Sequence, residues 1–317
     1  MKIIDLCAGV GGVRLGFDKA FGGVECLLTS EIDKHAQQTY ADNWGDENIQ
    51  GDIFTIDEND VPDHDILLAG FPCQAFSKAG LKQGMLDPRG TIIFEILRII
   101  RAKKPSVLFF ENVPQLLTHD KGNTFKTIYR LLQDEGYDIH YQVMNTKDFG
   151  LPQRRERVFI VCFRDPVFFS FPVPPRTPTR VGDILEPDND QYTISDRAWK
   201  GFRERKERNK ANGKGFGYQA VTVDSVCTGT ITAQYYKDGV QCLVLQEGKN
   251  PRMLSPRECF RLQGFPDSFK MHKSKTQAYK QAGNSVSVPV IEAIAKQIKK
   301  RLHRITKNSI VTLLKRN

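Results

Sequence analysis

The feature that most constrains this chain is a series of short, unbroken apolar runs, each leading into a residue able to do chemistry. Lys2–Leu6 runs into Cys7-Ala8-Gly9-Val10-Gly11-Gly12, and Glu25–Ser30 ends at Glu31. Asp65–Ala69 ends at Gly70-Phe71-Pro72-Cys73, residues 106–110 end at Glu111-Asn112, and Val158–Phe163 forms one more run. Apolar runs of this length without alternation belong to strands buried on both faces, as in parallel sheets. Between them lie helical stretches, after Gly12 and over residues 91–101. Alternating strands and helices predict an α/β fold with a doubly wound, mostly parallel sheet. Ligands in such sheets bind at the carboxyl ends of strands, and those ends here carry Gly9, Glu31, Cys73 and Glu111.

The texture changes after Phe163. Phe171-Pro-Val-Pro-Pro-Arg-Thr-Pro-Thr179 is a Pro-rich connector. The following hundred residues have weaker periodicity, many glycines and a basic run at 197–214, and a helical pattern returns over 286–305. The expected division is one domain over 1–175 plus 281–317 and a second, smaller one over 176–280. Net charge is +9, yet residues 1–65 hold 14 Asp and Glu against 4 Lys and Arg, a balance of −10, so the remainder carries +19. That asymmetry favours a polyanionic partner bound away from the N-terminal segment. The seven cysteines are odd in number and form no CxxC pair, which speaks against a disulfide framework or a zinc site. No run of about 18 apolar residues occurs, and Met1-Lys2-Ile3-Ile4-Asp5 does not begin a signal peptide. A cytoplasmic protein without membrane contact is the default expectation.

The glycine turn lets the backbone approach a ligand closely, but it lacks the GxGxxG order of dinucleotide binders. Glu31 could accept two ribose hydroxyls, and Asp52 could accept from an adenine amino group. Each acid alone is more often a cap or a surface residue; at successive strand ends they suggest an adenosine pocket. For an arbitrary cysteine the bland reading is a buried structural thiol. Cys73 instead follows Pro72 at the end of a buried strand, where loops carry function. A following helix N-terminus and nearby Arg would lower its pKa toward the thiolate.

Seven motifs, taken in order, are similar to those of the bacterial cytosine-5 DNA methyltransferases of restriction-modification systems. They are Asp5-Leu-Cys-Ala-Gly-Val-Gly-Gly12, Phe71-Pro-Cys-Gln-Ala-Phe-Ser77, Asp87-Pro-Arg-Gly-Thr91, Glu111-Asn-Val113, Gln153-Arg-Arg-Glu-Arg157, Arg257-Glu-Cys-Phe-Arg-Leu-Gln-Gly-Phe-Pro266 and Gly283-Asn-Ser-Val286. The resemblance covers nearly the whole chain. It implies an S-adenosylmethionine-dependent fold with a target-recognition domain at 176–280, and double-stranded DNA as partner. It also implies a monomer, and a possible cognate restriction endonuclease acting on the same site.

By the same resemblance Cys73 is the nucleophile, Glu111 holds the cytosine N3 and 4-amino edge, and Arg157 contacts O2, with Gln153 and Arg155 supporting the catalytic loop. Cofactor contacts fall on Asp5, Gly9, Gly11, Gly12, Glu31, Ile32, Asp52, Ile53, Pro72, Ile92, Asn284 and Ser285. Thr230-Ile231 matches a dipeptide of the family's recognition region, although Thr-Ile-Thr is also simply a good strand. The chain departs from a common pattern at Cys7, where many relatives carry an aromatic, and at Ile32, where they often carry Trp. The competing expectations are an RNA cytosine-5 methyltransferase of the same fold, a non-catalytic DNA-binding regulator and a nicotinamide oxidoreductase. Comparing methyl transfer to duplex DNA and to tRNA separates the first.

Overall fold

The computed structural model describes residues 1–45, 49–71, 88–187, 190–215 and 217–314, with backbone only at 88–91 and 304–314. The chain separates into two compact units. The first comprises Met1–Met144, Glu156–Val173 and Val290–Asn317; the second comprises Asn145–Arg155 and Pro174–Pro289.

The first unit is built on a seven-stranded sheet. Its strands are β1 (Lys2–Leu6), β2 (Glu25–Ser30), β3 (Ile49–Gln50), β4 (Ile66–Ala69), β5 (Val107–Asn112), β6 (Asp138–Asn145) and β7 (Glu156–Phe163). They lie in the order β3-β2-β1-β4-β5-β7-β6. Pairings among β1 to β5 are parallel, and β7 runs antiparallel to β5, with Glu111 opposite Phe159 and Asn112 opposite Val158. Strand order reverses between β1 and β4, the switch point where an open α/β sheet leaves a crevice for ligands. The apolar runs explain the layering: Leu67, Leu68, Leu108, Phe109 and Ile160 are fully buried. One face packs on α3 (Pro88–Lys103) through Ile93, Ile96 and Leu97. Phe17 of α1 (Gly12–Phe21) meets Phe109 edge-to-face at 5.1 Å on the other.

Helix starts follow local chemistry. Asp33 caps α2 (Lys34–Trp44) by accepting from the backbone of His35 and Ala36, which satisfies two of a helix's orphan donors. Gly11 begins α1 at φ 75°; a Cβ there would sit 2.5 Å from the Trp44 ring, so the turn needs glycine on both counts. α4 (Asn123–Asp134) and the long α8 (Val288–Leu314) complete the helices of this unit. No helix among the described residues is long and apolar enough to cross a membrane.

The second unit holds a three-stranded sheet in the order β10 (Lys249–Met253), β9 (Leu243–Gln246), β8 (Ala220–Val221). Its helices are α5 (Asp196–Ala211), α6 (Pro256–Arg261) and α7 (Lys275–Asn284). Phe260, Phe265 and Phe269 form an aromatic core with centroids 4.6–5.5 Å apart. A buried ion pair joins Arg252 to Glu258 at 2.8 Å, and Glu258 also accepts the amides of Glu186 and Ser255. Both oxygens of that buried carboxylate are thus engaged, as burial of a charge requires. α5 buries no side chain at all.

Candidate active site

The carboxyl ends of β1 and β2 are tied together by one side chain. Glu31 Oε2 accepts the Gly9 amide at 2.7 Å and Oε1 accepts the Asp33 amide at 2.8 Å, so this acid links the glycine turn to the start of α2. Burial pushes its carboxyl above the ordinary range, against the two amide hydrogen bonds. Gly9 and Gly11 both take the left-handed backbone, at φ 57° and 75°. Cys7 shares that conformation, and burial, followed by Glu31, Asp5 and Asp52, pushes its thiol up to about 12. Three carboxylates therefore surround the turn. Asp52 spends Oδ1 on the Phe54 amide at 3.1 Å. Next to this acidic edge Ile32 is 71% exposed, an apolar surface at a strand end.

β5 delivers the next pair. Glu111 and Arg157 lie on neighbouring antiparallel strands, and Arg157 Nε meets Glu111 Oε1 at 2.9 Å with both side chains mostly buried. Arg157 also donates to the Glu156 carbonyl at 2.7 Å. The two groups expected to hold different edges of one base thus hold each other. Asn112 is buried, donates to the Phe71 carbonyl at 2.9 Å and accepts the Val113 amide. It pins the backbone at the end of the β4 run, two residues before Cys73 in sequence. Cys73 and Pro72 lie outside the described residues.

Gln153 and Arg155, expected to support the catalytic loop, both hold main chain. Both side chains are buried in the second unit, at 0% and 2% exposure. Gln153 Oε1 accepts the Ile231 amide at 3.1 Å and Arg155 donates to the Ile231 carbonyl at 3.1 Å. Ile231 has no regular secondary structure, so its buried peptide needs side-chain partners, and these two supply them. Arg155 continues to the carbonyls of Gly283 and Ser285, at 3.2 and 2.5 Å. Gly283 lies so close to the next segment that a Cβ would fall 2.2 Å from the Thr232 carbonyl carbon. Among the described residues the two are positioning groups for residues 231–233 and 283–285.

Other expected residues divide. The side chains of Asp5 and Ile53 are turned into the interior: Asp5 is 1% exposed and accepts from Tyr40 Oη at 3.4 Å, and Ile53 packs in the core. Only their backbone remains for a ligand. Ile92 packs partly buried against the same core, and Gly12 begins α1. Ile231 has a fully buried side chain, whereas Thr230 is partly exposed with Oγ1 on the Arg154 carbonyl at 2.6 Å. Asn284 is exposed at the end of α7. The Ser285 and Ser287 hydroxyls are buried and, among the described residues, have no hydrogen-bond partner. Ser287 carried no sequence signal; only its burial reveals it.

This geometry meets known proteins at several levels. The profile of the C-5 cytosine-specific DNA methylase family matches residues 1–300. The chain is 54% identical over 312 residues to the type II methyltransferase M.NlaX of Neisseria lactamica, covering 98% of this chain and 99% of that protein. It is 42% identical over 312 residues to M.HhaI of Haemophilus parahaemolyticus, covering 94% of each. Among solved structures the fold is similar to S. pombe Dnmt2 methyltransferase, with a TM-score of 0.80 at 20% identity over 95% of this chain and 99% of that one. A strand order that reverses between β1 and β4, an acid–arginine pair on β5 and β7, and a family match over almost the whole length agree: the chain belongs to the C-5 cytosine-specific DNA methylase family and is a DNA (cytosine-5) methyltransferase.

Proposed function

We propose that the protein transfers a methyl group from S-adenosylmethionine to carbon 5 of one cytosine in a specific duplex sequence, and so protects that sequence from a cognate restriction endonuclease. The observation that carries the reading is the Asn112–Phe71 hydrogen bond together with the Glu111–Arg157 pair. It sets an acid and a guanidinium one residue from the tether of the chain that leads to Cys73. Carbon 5 of cytosine is a poor nucleophile until electron density is pushed into the ring. Addition of the Cys73 thiolate to C6 forms the S–C6 bond and moves the electron pair toward C5 and N3. Glu111 supplies the proton or hydrogen bond at N3, and Arg157 both orients that carboxyl and meets O2. After methyl transfer, a water or a side chain at the site takes the C5 hydrogen as a proton, and the electron pair left on C5 forms the C5–C6 double bond as the Cys73 thiolate leaves C6. Because C6 is inaccessible in a duplex, the base must leave the stack.

The cofactor supplies, when bound, an electrophilic methyl on sulfur. The first unit fits its adenosine part. The left-handed backbone at Gly9 and Gly11 permits close approach, Glu31 and Asp52 offer acceptors, and exposed Ile32 offers an apolar face. The second unit, 176–280 in the main, is assigned to reading the target, with Thr230 at its contact surface.

The test is a duplex whose target cytosine carries fluorine at C5. Fluorine cannot depart as a proton, so enzyme and DNA should stay joined through denaturation, with cofactor and the correct site both required. Cys73→Ser should abolish the complex, and Glu111→Gln should form it slowly. A wild-type enzyme that methylates DNA yet never traps, or a Cys73→Ser variant that traps normally, overturns the mechanism; transfer to tRNA in preference to duplex DNA overturns the substrate.

A further inference from the structure

The second unit contains a cavity of about 540 Å³ lined by Arg154, Lys206, Tyr218, Gln219 and residues 227–230. Among the described residues its polar side chains either only donate, as Arg154 and Lys206 do, or both donate and accept, as Tyr218, Gln219 and Thr230 do; no carboxylate lines it. Such a lining suits an electronegative, acceptor-rich partner.

Its floor is stiff. Arg154 N donates to Thr228 O at 2.9 Å, Thr228 N donates to Pro152 O at 2.8 Å, and Thr230 Oγ1 closes on Arg154 O. Gln153 and Arg155 then hold both polar groups of the next peptide, that of Ile231. Gln219 lies over Gly229 so closely that a Cβ at 229 would sit 2.2 Å from its Oε1. Arg154 itself is exposed.

One wall belongs to α5. Lys206 Nζ lies 4.2 Å from the Tyr218 ring centroid, and Trp199 packs edge-on against the same ring at 4.7 Å. α5 carries seven Lys and Arg against three Asp and Glu over 196–211 and buries none of its side chains. A helix with no fully buried side chain and a net positive charge is suited to a phosphate backbone.

We propose that this cavity reads a guanine of the target: Arg154 donates to O6 and N7 on its major-groove edge, while Lys206 and α5 hold neighbouring phosphates. Among the four bases only guanine sets two acceptors side by side on that edge. Adenine would set its amino group against the guanidinium. The assignment rests on the reading of this unit as the duplex-reading part of the enzyme.

The experiment begins with bisulfite sequencing of DNA methylated by the wild-type enzyme, which defines the site; absence of methylcytosine would sink the function itself, a failure distinct from that of the guanine assignment. Duplexes are then made with 7-deazaguanine at one guanine of the site at a time. One position should reduce wild-type kcat/KM by about 2- to 12-fold, because the analogue removes N7 and leaves O6, one of the two acceptors of a bidentate contact. Arg154→Ala, which removes both hydrogen bonds, should lose activity on the natural site by about 5- to 150-fold and show no further loss on that modified duplex. Arg154→Lys, which keeps the charge and can still donate but lacks the planar fork, should keep the salt dependence and only part of the discrimination. Melting of each variant verifies that it is folded. If Arg154→Ala binds all sequences equally weakly, with the slope of log K against log salt reduced by about 0.9, Arg154 is a phosphate contact and the proposal is overturned. It is overturned equally if Arg154→Ala and Arg154→Lys keep full sensitivity to 7-deazaguanine at every position.

Discussion

Replacing Arg155 with alanine removes the donor of three buried carbonyls, those of Ile231, Gly283 and Ser285. Each buried acceptor left without a partner costs about 1–3 kcal/mol, giving roughly 3–9 kcal/mol for three. Against this, the variant no longer desolvates a guanidinium, a cost of several kcal/mol. The middle of that range less the desolvation cost leaves a net loss on the order of 3 kcal/mol, large for a single substitution. Arg155→Lys keeps the charge, but one ammonium cannot span three carbonyls approached by a planar fork; a loss of roughly 1–3 kcal/mol is expected. Because the two units need not unfold together, the assay should track the second alone, by urea titration of proteolytic protection within 174–289. With a slope of about 2–3 kcal/mol per molar, the alanine midpoint should fall by about 1–2 M and the lysine midpoint by less. An alanine midpoint within experimental error of wild type would mean that water or a neighbouring group satisfies the carbonyls and that Arg155 is not what holds residues 231 and 283–285.

Three further outcomes are expected. Arg252→Met should cost about 3–5 kcal/mol because it strands the fully buried Glu258 carboxylate, and adding Glu258→Gln, which removes the charge and keeps an acceptor for a backbone amide, should recover part of that; urea midpoints of the single and double variants decide it. S-adenosylmethionine affinity should fall as pH drops, beginning above the ordinary glutamate range, because burial raises the Glu31 carboxyl and the ionised form is the better acceptor for ribose hydroxyls. Calorimetry across pH should find that dependence flattened in Glu31→Gln. Mass spectrometry after brief alkylation of folded protein should leave Cys162, Cys242 and Cys259 unmodified, since burial pushes all three thiols up; rapid labelling of any of them would mean that its core opens readily.

The strands with continuous apolar runs could be read directly from sequence: β1, β4, β5 and β7 bury most of their side chains and β2 buries half. β6 could not, because three consecutive residues, Tyr141–Val143, are exposed on this sheet edge and break both the continuous and the alternating pattern. Thr230-Ile231-Thr232 shows the opposite failure. Its β-branched composition suggests a strand, yet tertiary context prevails, and the segment is held by the side chains of Gln153 and Arg155 instead of a ladder. Motif spelling located Glu111 and Arg157 but could not say that they pair. Nor could it separate groups aimed at a ligand from those that hold such groups in place. Asp5, Gln153 and Arg155 sit within motifs, and only their burial reveals their role.

The clamp around Ile231 has an evolutionary consequence. With its amide and carbonyl both engaged, and the Gly283 backbone pressed against Thr232, this stretch of main chain cannot drift without breaking several buried contacts at once. On the reading proposed for this unit, a change of target sequence is expected to come through the exposed side chains around this stretch. Saturation libraries at Arg154, Lys206 and Gln219 should therefore yield folded enzymes with altered site preference far more often than libraries at 231–233, where most members should fail to accumulate.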